Sequence, residues 1–103
     1  MKLAAALPKS TVGRAVANQL VRSGTSVGAN YRAACRSRSK AEFASRLAVA
    51  DEEADESGYW MELIAEAGLM DKQRVAPLLQ EANELTAILT ASRETALGRR
   101  KGR

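Results

Sequence analysis

The chain has 103 residues, with 16 basic and 12 acidic side chains, no histidine and a formal net charge of +4. This length fits a single domain, and no stretch approaches the ~20 apolar residues that a membrane span requires. Cys35 is the single cysteine, which excludes an internal disulfide and argues against a secreted, disulfide-stabilised scaffold, so we expect a cytoplasmic protein.

The composition predicts an all-α protein. Alanine, the strongest helix former, is abundant, whereas only four residues are aromatic. Strands favour aromatic and β-branched side chains, and helices favour alanine. Met1 to Leu7 fits one or two helical turns that end at Pro8, because proline disfavours helix in the residue before it.

Ser10 or Thr11 is suited to cap a second helix. Along it, apolar or small residues recur every three or four positions, the period of one helix face: Val12, Val16, Leu20, Ser23, Val27, Tyr31 and Ala34. Gly24 and Gly28 lie one turn apart on this helix, and glycine costs roughly 1 kcal/mol in a helix interior. We expect the pair to allow close approach of another backbone; a kink between two shorter helices is the alternative.

A third helix is predicted from Lys40 to Ala67. Ser39 and Glu42 have the spacing of a capping box, and Gly68 suits a left-handed helix end. The predicted buried positions follow at steps of three or four residues: Phe43, Leu47, Ala50, Ala54, Ser57, Met61, Ile64 and Gly68.

Asp71 is the predicted cap of the last helix, in which Pro77 should produce a kink or delay the regular start. A heptad-like set of positions predicts packing against a nearly parallel helix axis: Val75, Leu78, Ala82, Leu85, Leu89, Ser92 and Ala96. Residues 98–103 form a predicted basic, flexible tail outside a single domain of residues 1–97. Short connections between long helices predict an antiparallel bundle.

No catalytic chemistry is evident in the sequence. Carboxylates that bind metal ions in helical bundles are usually accompanied by histidine, and this chain has none. It also lacks a nucleophile with an adjacent base and a phosphate-binding glycine loop. We therefore expect no enzyme activity, no metal, no cofactor and no small-molecule substrate.

The charges are segregated along the chain. Glu42 is the only acid before Asp51, whereas residues 51–66 contain seven acids and no base. Two interpretations remain open. The basic stretch could bind nucleic-acid phosphates, with Ser26 and Asn30 adding hydrogen bonds, or Arg22 and its neighbours could pair with residues 51–56 within the bundle or between subunits. Tyr31 is expected in the core rather than stacked on a base.

Four stretches carry a family resemblance: Leu7-Pro8-Lys9, QLVRSGTSVGANYRAACRSRSKAEF, residues 52–56 and LLQEANELTAIL. Together they resemble the bacterial four-helix-bundle proteins related to the one encoded in 23S ribosomal RNA intervening sequences, over roughly residues 3–96. The resemblance implies an up-down bundle, a ring-like homo-oligomer that is typically a pentamer, and no known enzyme activity. A related branch, the accessory proteins of diversity-generating retroelements, works with nucleic acid through a basic surface.

We therefore predict a non-enzymatic, homo-oligomeric, all-α antiparallel bundle of the four-helix type that binds structured RNA or DNA. The alternative is a structural or protein-partner module without a nucleic-acid role. The resemblance, together with the basic pattern after Cys35, assigns the binding surface to the second helix and the following turn: Arg22, Ser26, Asn30, Arg32, Arg36, Arg38 and Lys40.

The sequence departs from the family at its amino end. The family has a full first helix before the Leu-Pro element, where this chain has only Met1 to Leu7, so we expect a truncated first helix. Burial of ~6 apolar side chains of such a helix would contribute on the order of 10 kcal/mol. Three explanations remain open: the true start lies upstream, a neighbouring subunit covers the groove, or the monomer is only marginally stable.

Overall fold

The computed structural model describes residues 2–98 and contains four helices and no strand within that range. They are α1 (Lys2–Ala5), α2 (Thr11–Cys35), α3 (Lys40–Glu66) and α4 (Lys72–Ala96). The all-α prediction is confirmed. Most of the predicted basic tail, residues 99–103, lies outside the described residues.

The helix ends form where the sequence places them. Ser10 Oγ accepts a hydrogen bond from the Gly13 N–H at 3.0 Å, and Asp71 accepts one from the Gln73 N–H at 2.9 Å. Such side-chain acceptors satisfy amide groups that have no partner in the first helical turn. After the carboxyl end of α3, Gly68 adopts a φ of +68°, as predicted for a left-handed helix end.

The α3 helix is the centre of the molecule. It packs against both α2 and α4, whereas the Cα atoms of α2 and α4 stay more than 8 Å apart. The molecule is correspondingly flat, with principal extents of 45 × 23 × 16 Å. Because α3 has neighbours on two sides, most of its predicted seam is buried, including Leu47, Ala54 and Ile64.

Two apolar clusters hold the helices together. Near one end, Leu7 and Leu20 pack in a cluster with Ile64 and Val75. Near the other end, a second cluster contains Ala34, Leu47, Ala50, Ala54 and Leu89. Late residues of α2 thus share a cluster with early residues of α3, and early residues of α2 share one with late residues of α3.

Several predicted core positions are open to solvent. Tyr31 is 52 % exposed and Val12 57 % exposed, so the predicted core location of Tyr31 is wrong. Leu78 and Leu85 on α4 are also more than one third exposed. The helical period identifies one apolar face correctly, but α2 and α4 have a helical neighbour along only part of that face.

At Gly28 the predicted close backbone approach does not occur, whereas Gly13 makes one that was not predicted. A Cβ atom at Gly28 would meet nothing within 4 Å, and α2 runs unbroken through this position. By contrast, a Cβ atom at Gly13 would lie 2.1 Å from the carbonyl oxygen of Pro8. Gly13 therefore lets the Leu-Pro element close over the start of α2. Pro77 does not delay the start of α4, which begins at Lys72.

Candidate nucleic-acid interface

The turn between α2 and α3 is held by local hydrogen bonds. The Arg36 N–H donates to the Ala33 carbonyl at 3.2 Å, and the Ser37 N–H donates to the Ala34 carbonyl at 3.1 Å. Ser39 Oγ accepts from the Glu42 N–H at 3.1 Å. In a capping box, the Glu42 carboxylate would also accept a hydrogen bond from the Ser39 N–H. Here it accepts from the N–H of the preceding residue, Arg38, at 3.4 Å.

Beside this turn, α2 and α3 form a shallow basic depression. Arg32 and Arg36 line it from α2, and Arg46 and Glu42 line it from α3, with Ala29 and Ala33 between them. All three arginine residues are exposed. Within the part of the chain that the structure describes, none of the three makes an ion pair or a side-chain hydrogen bond. Three cations therefore face solvent around a single carboxylate.

Arg46 is a functional candidate that the sequence analysis missed. The sequence feature that could have identified Arg46 is its distance from the turn: Arg32 and Arg46 lie equally far from Ser39 along the chain, on opposite sides. Arg36 and Glu42 are related in the same way. When two helices joined by a short turn pack together, such residues come to lie side by side.

Arg38 and Lys40 flank Ser39 and are exposed. The main chain of Arg38 is tied to Glu42, but no ion pair involves either side chain among residues 2–98. The two residues therefore extend the positive surface from the depression onto the turn.

Arg22 has a different environment. Its guanidinium donates to Glu53 at 2.8 Å and also contacts the Glu56 carboxylate. Gln19 and Trp60 complete this network, Gln19 by accepting from Arg22 Nε and Trp60 by donating to Glu56. The hydrogen bond to Glu53 is the main cause that raises the pKa of Arg22 above its ordinary value. The structure thus shows for Arg22 the pairing with residues 51–56 that the sequence left open.

Ser26 and Asn30 are joined by hydrogen bonds within α2. The Asn30 amide donates to the Ser26 carbonyl at 2.9 Å and to Ser26 Oγ at 3.1 Å. Both side chains are partly buried. Their polar stripe lies on α2 as predicted, but the Asn30 amide donates within the helix.

The acidic run of α3 divides between the core and the surface. Asp51 is buried and accepts from Thr90 Oγ1 on α4 at 2.6 Å, with an Arg93 guanidinium nitrogen 3.7 Å away. Glu52, Asp55, Glu62 and Glu66 remain exposed. Among residues 2–98, no three potential ligand side chains are grouped closely enough to hold a metal ion.

Comparison with known proteins identifies the family of this chain. The family model for the 23S rRNA-intervening sequence protein matches residues 1–91. The chain belongs to this family.

A structural relative supports the assignment. A crystal structure of a protein of unknown function from the S23 ribosomal protein family of Bacteroides thetaiotaomicron VPI-5482 is similar to this chain, with a TM-score of 0.71 and 33 % sequence identity. The similarity covers 74 % of this chain and 70 % of that one. No curated protein matches the chain. In residues 2–98, no helix is both long and apolar enough to cross a membrane.

Proposed function

We propose that this member of the 23S rRNA-intervening sequence family is a non-enzymatic, cytoplasmic, homo-oligomeric protein that binds structured RNA through the basic depression and the adjacent turn. The observation that carries the proposal is the group of exposed arginines at positions 32, 36 and 46, which have no ion-pair partner among the described residues. Exposed guanidinium groups bind phosphate oxygens well, because they stay charged and offer several donors in a planar fork. The family name, which refers to ribosomal RNA, favours RNA over DNA.

The surface proposed here is smaller than the set of residues in the sequence prediction. It consists of Arg32, Arg36, Arg38, Lys40 and Arg46. Arg22 is left out because two carboxylates already neutralise its charge. Ser26 and Asn30 are supporting residues of α2, because the Asn30 amide nitrogen already donates to Ser26 within the helix.

We also infer that α2, α3 and α4 run in alternating directions. The support is the pairing of Arg22 with Glu56, which lie equally far from Ser39 on opposite sides, together with the two apolar clusters at opposite ends of the α2–α3 contact. If α2 and α3 run in opposite directions, the basic residues near the turn between them lie close together, and the proposed surface lies at one end of the molecule.

The proposal is tested by titrating a fluorescently labelled structured RNA with the protein at two salt concentrations. Phosphate contacts release counterions, so affinity should fall steeply with salt. Reversal of two charges in Arg32→Glu/Arg36→Glu should weaken binding by on the order of 10- to 100-fold. The control Lys72→Glu/Arg74→Glu changes the net charge equally at exposed positions of α4. Equal losses in both variants would indicate a nonspecific charge effect and contradict the proposal.

A second candidate function is an assembly or protein-partner module without a nucleic-acid role. The intramolecular pairing of Arg22 and the exposed apolar side chains of α4 favour it. In that case the double reversal would leave RNA affinity unchanged, and the molar mass in light scattering would change instead.

A further inference from the structure

Both tyrosine residues of this chain are exposed, but their surroundings differ. Tyr31 on α2 is 52 % exposed and Tyr59 on α3 is 55 % exposed. Tyr59 has the Trp60 ring as a neighbour, with the ring centroids 5.0 Å apart in an edge-to-face arrangement. Within residues 2–98, Tyr31 has neither a ring partner nor a hydrogen bond through its hydroxyl group. The Tyr31 ring is therefore available to a ligand.

The charges beside the two rings have opposite signs. Tyr31 immediately precedes Arg32, which is exposed and lines the basic depression. Tyr59 lies between Asp55 and Glu62, two exposed acids at spacings of four and three residues that border it on the same side of α3. A polyanion is attracted to the first ring's surroundings and repelled by those of the second. Tyr31 is thus the exposed ring that RNA held at the depression can reach.

The surface of α2 is bare next to Tyr31. Gly28 comes three residues before Tyr31 and four before Arg32, which places the three residues on one side of the helix. Helical side chains lean toward the amino end of their helix, so Tyr31 and Arg32 extend over the turn that contains Gly28. A Cβ atom at Gly28 would meet nothing within 4 Å. The space beside Gly28 is open to a flat group that enters between the tyrosine ring and the guanidinium.

Nothing within residues 2–98 requires a glycine at position 28. Glycine destabilises the interior of a helix relative to alanine, and α2 runs unbroken through Gly28 without a close neighbour there. The position is neither a turn nor a packing contact with another helix. A ligand that fills the space would account for the glycine.

We propose that Tyr31 stacks on an unpaired base of the bound RNA, above Gly28, while Arg32 contacts the adjoining phosphate. This inference rests on the proposed RNA function and specifies its ligand class, which is RNA with single-stranded nucleotides such as those of a hairpin loop or a bulge. Bases within a duplex are already stacked on one another, whereas unpaired bases can stack on aromatic side chains. Because every base has a flat face, the contact selects for unpaired structure rather than for sequence.

The inference is tested with two fluorescently labelled RNAs that carry the same number of phosphates, a hairpin with an open loop and a fully paired duplex. The wild-type protein should bind the hairpin more tightly. Tyr31→Leu should weaken hairpin binding by about 5- to 100-fold, as expected for a lost base–aromatic stack, and leave duplex binding unchanged. Tyr31→Phe keeps the ring and should keep the preference. The matched control is Tyr59→Leu, which removes an equally exposed ring and should change neither affinity.

Gly28→Leu separates a binding role from a structural one. Leucine favours helix more than glycine does, and its side chain would enter open space, so the melting temperature should not fall. The same side chain fills the space beside Tyr31, so hairpin affinity should fall while duplex affinity is retained. Circular dichroism measures the first effect and fluorescence anisotropy the second. Wild-type hairpin affinity in this variant would overturn the stacking above Gly28.

Photocrosslinking locates the contact independently of affinity. Ultraviolet light joins iodouridine in the loop to an aromatic ring stacked on it, and mass spectrometry should identify Tyr31 as the joined residue. A wild-type protein that binds neither RNA would overturn this inference together with the proposed function. If Arg32→Glu/Arg36→Glu weakens binding but Tyr31→Leu spares the hairpin, weakens both RNAs equally or changes the molar mass in light scattering, the stacking contact is wrong and the proposed function stands.

Discussion

Two arginine environments on the same helix differ completely. Arg22 lies against Glu53 and Glu56 of α3 and is paired with both. Arg32, further along α2, lines a depression together with Arg46 of α3 and faces solvent. The residue type, the helix and the facing helix are the same in both cases. The difference follows from α3, which presents two carboxylates to Arg22 and contributes an arginine to the depression that Arg32 lines.

The largest effect is expected for Arg46→Glu, which places an acid on α3 at the same distance from Ser39 as Arg32, the relation that Glu56 has to Arg22. We expect RNA affinity to fall by on the order of 10- to 100-fold and the salt dependence to weaken, because one cation is lost and one or two others become paired. Fluorescence anisotropy at several salt concentrations measures both. Arg46→Gln is the control and should lose less affinity. Equal affinities of the two variants would mean that pairing across the turn does not govern binding.

The converse change should release Arg22. In Glu53→Gln/Glu56→Gln the guanidinium loses both carboxylates, and we expect RNA affinity to rise a few-fold because Arg22 becomes available to phosphate. The control Glu52→Gln/Asp55→Asn changes the net charge equally at exposed acids that make no ion pair with Arg22. An equal rise in both double variants would reflect net charge alone and remove the distinction between the two arginine environments.

The smallest effect is expected for Arg22→Gln. RNA affinity should stay within about twofold of the wild type, because a paired arginine contributes little to phosphate binding. The melting temperature should fall by a few degrees at low salt, since Glu53 and Glu56 lose their shared cation, and the difference should shrink at high salt as the charges are screened. Thermal denaturation at two salt concentrations measures this. A loss of affinity like that of Arg32→Glu/Arg36→Glu would contradict the comparison.

Sequence reasoning predicted the fold where local chemistry decides it. Ser39, Asp71 and Gly68 set helix ends through hydrogen bonds or backbone conformation within a few residues, and these signals are visible in a single stretch of chain. Reasoning of the same kind failed for Tyr31 and Leu85, because a period of three or four shows which side of a helix is apolar but not whether another helix covers it.

The site was predictable only in part, since it depends on how two helices align. The basic residues near the turn stand out in the sequence, and Arg32 and Arg36 do lie together. For Arg22 the sequence left pairing and exposure as alternatives, because the choice depends on contacts with α3. Arg46 was missed because it lies beyond the turn, although counting outward from Ser39 would have placed it beside Arg32.

One uncharged contact fixes this alignment. Ser23 and Ser57 are buried, and their hydroxyl groups are 2.9 Å apart, next to the Arg22 network. Each hydroxyl has one proton, so one serine donates to the other, and that second serine donates to a carbonyl of its own helix, Leu20 for Ser23 or Glu53 for Ser57. Because the pair carries no net charge and is shielded from solvent, dissolved ions do not weaken it as they weaken exposed ion pairs. The ionic conditions that would detach a polyanion from the proposed interface therefore leave the hydroxyl contact intact, and α2 and α3 keep their alignment.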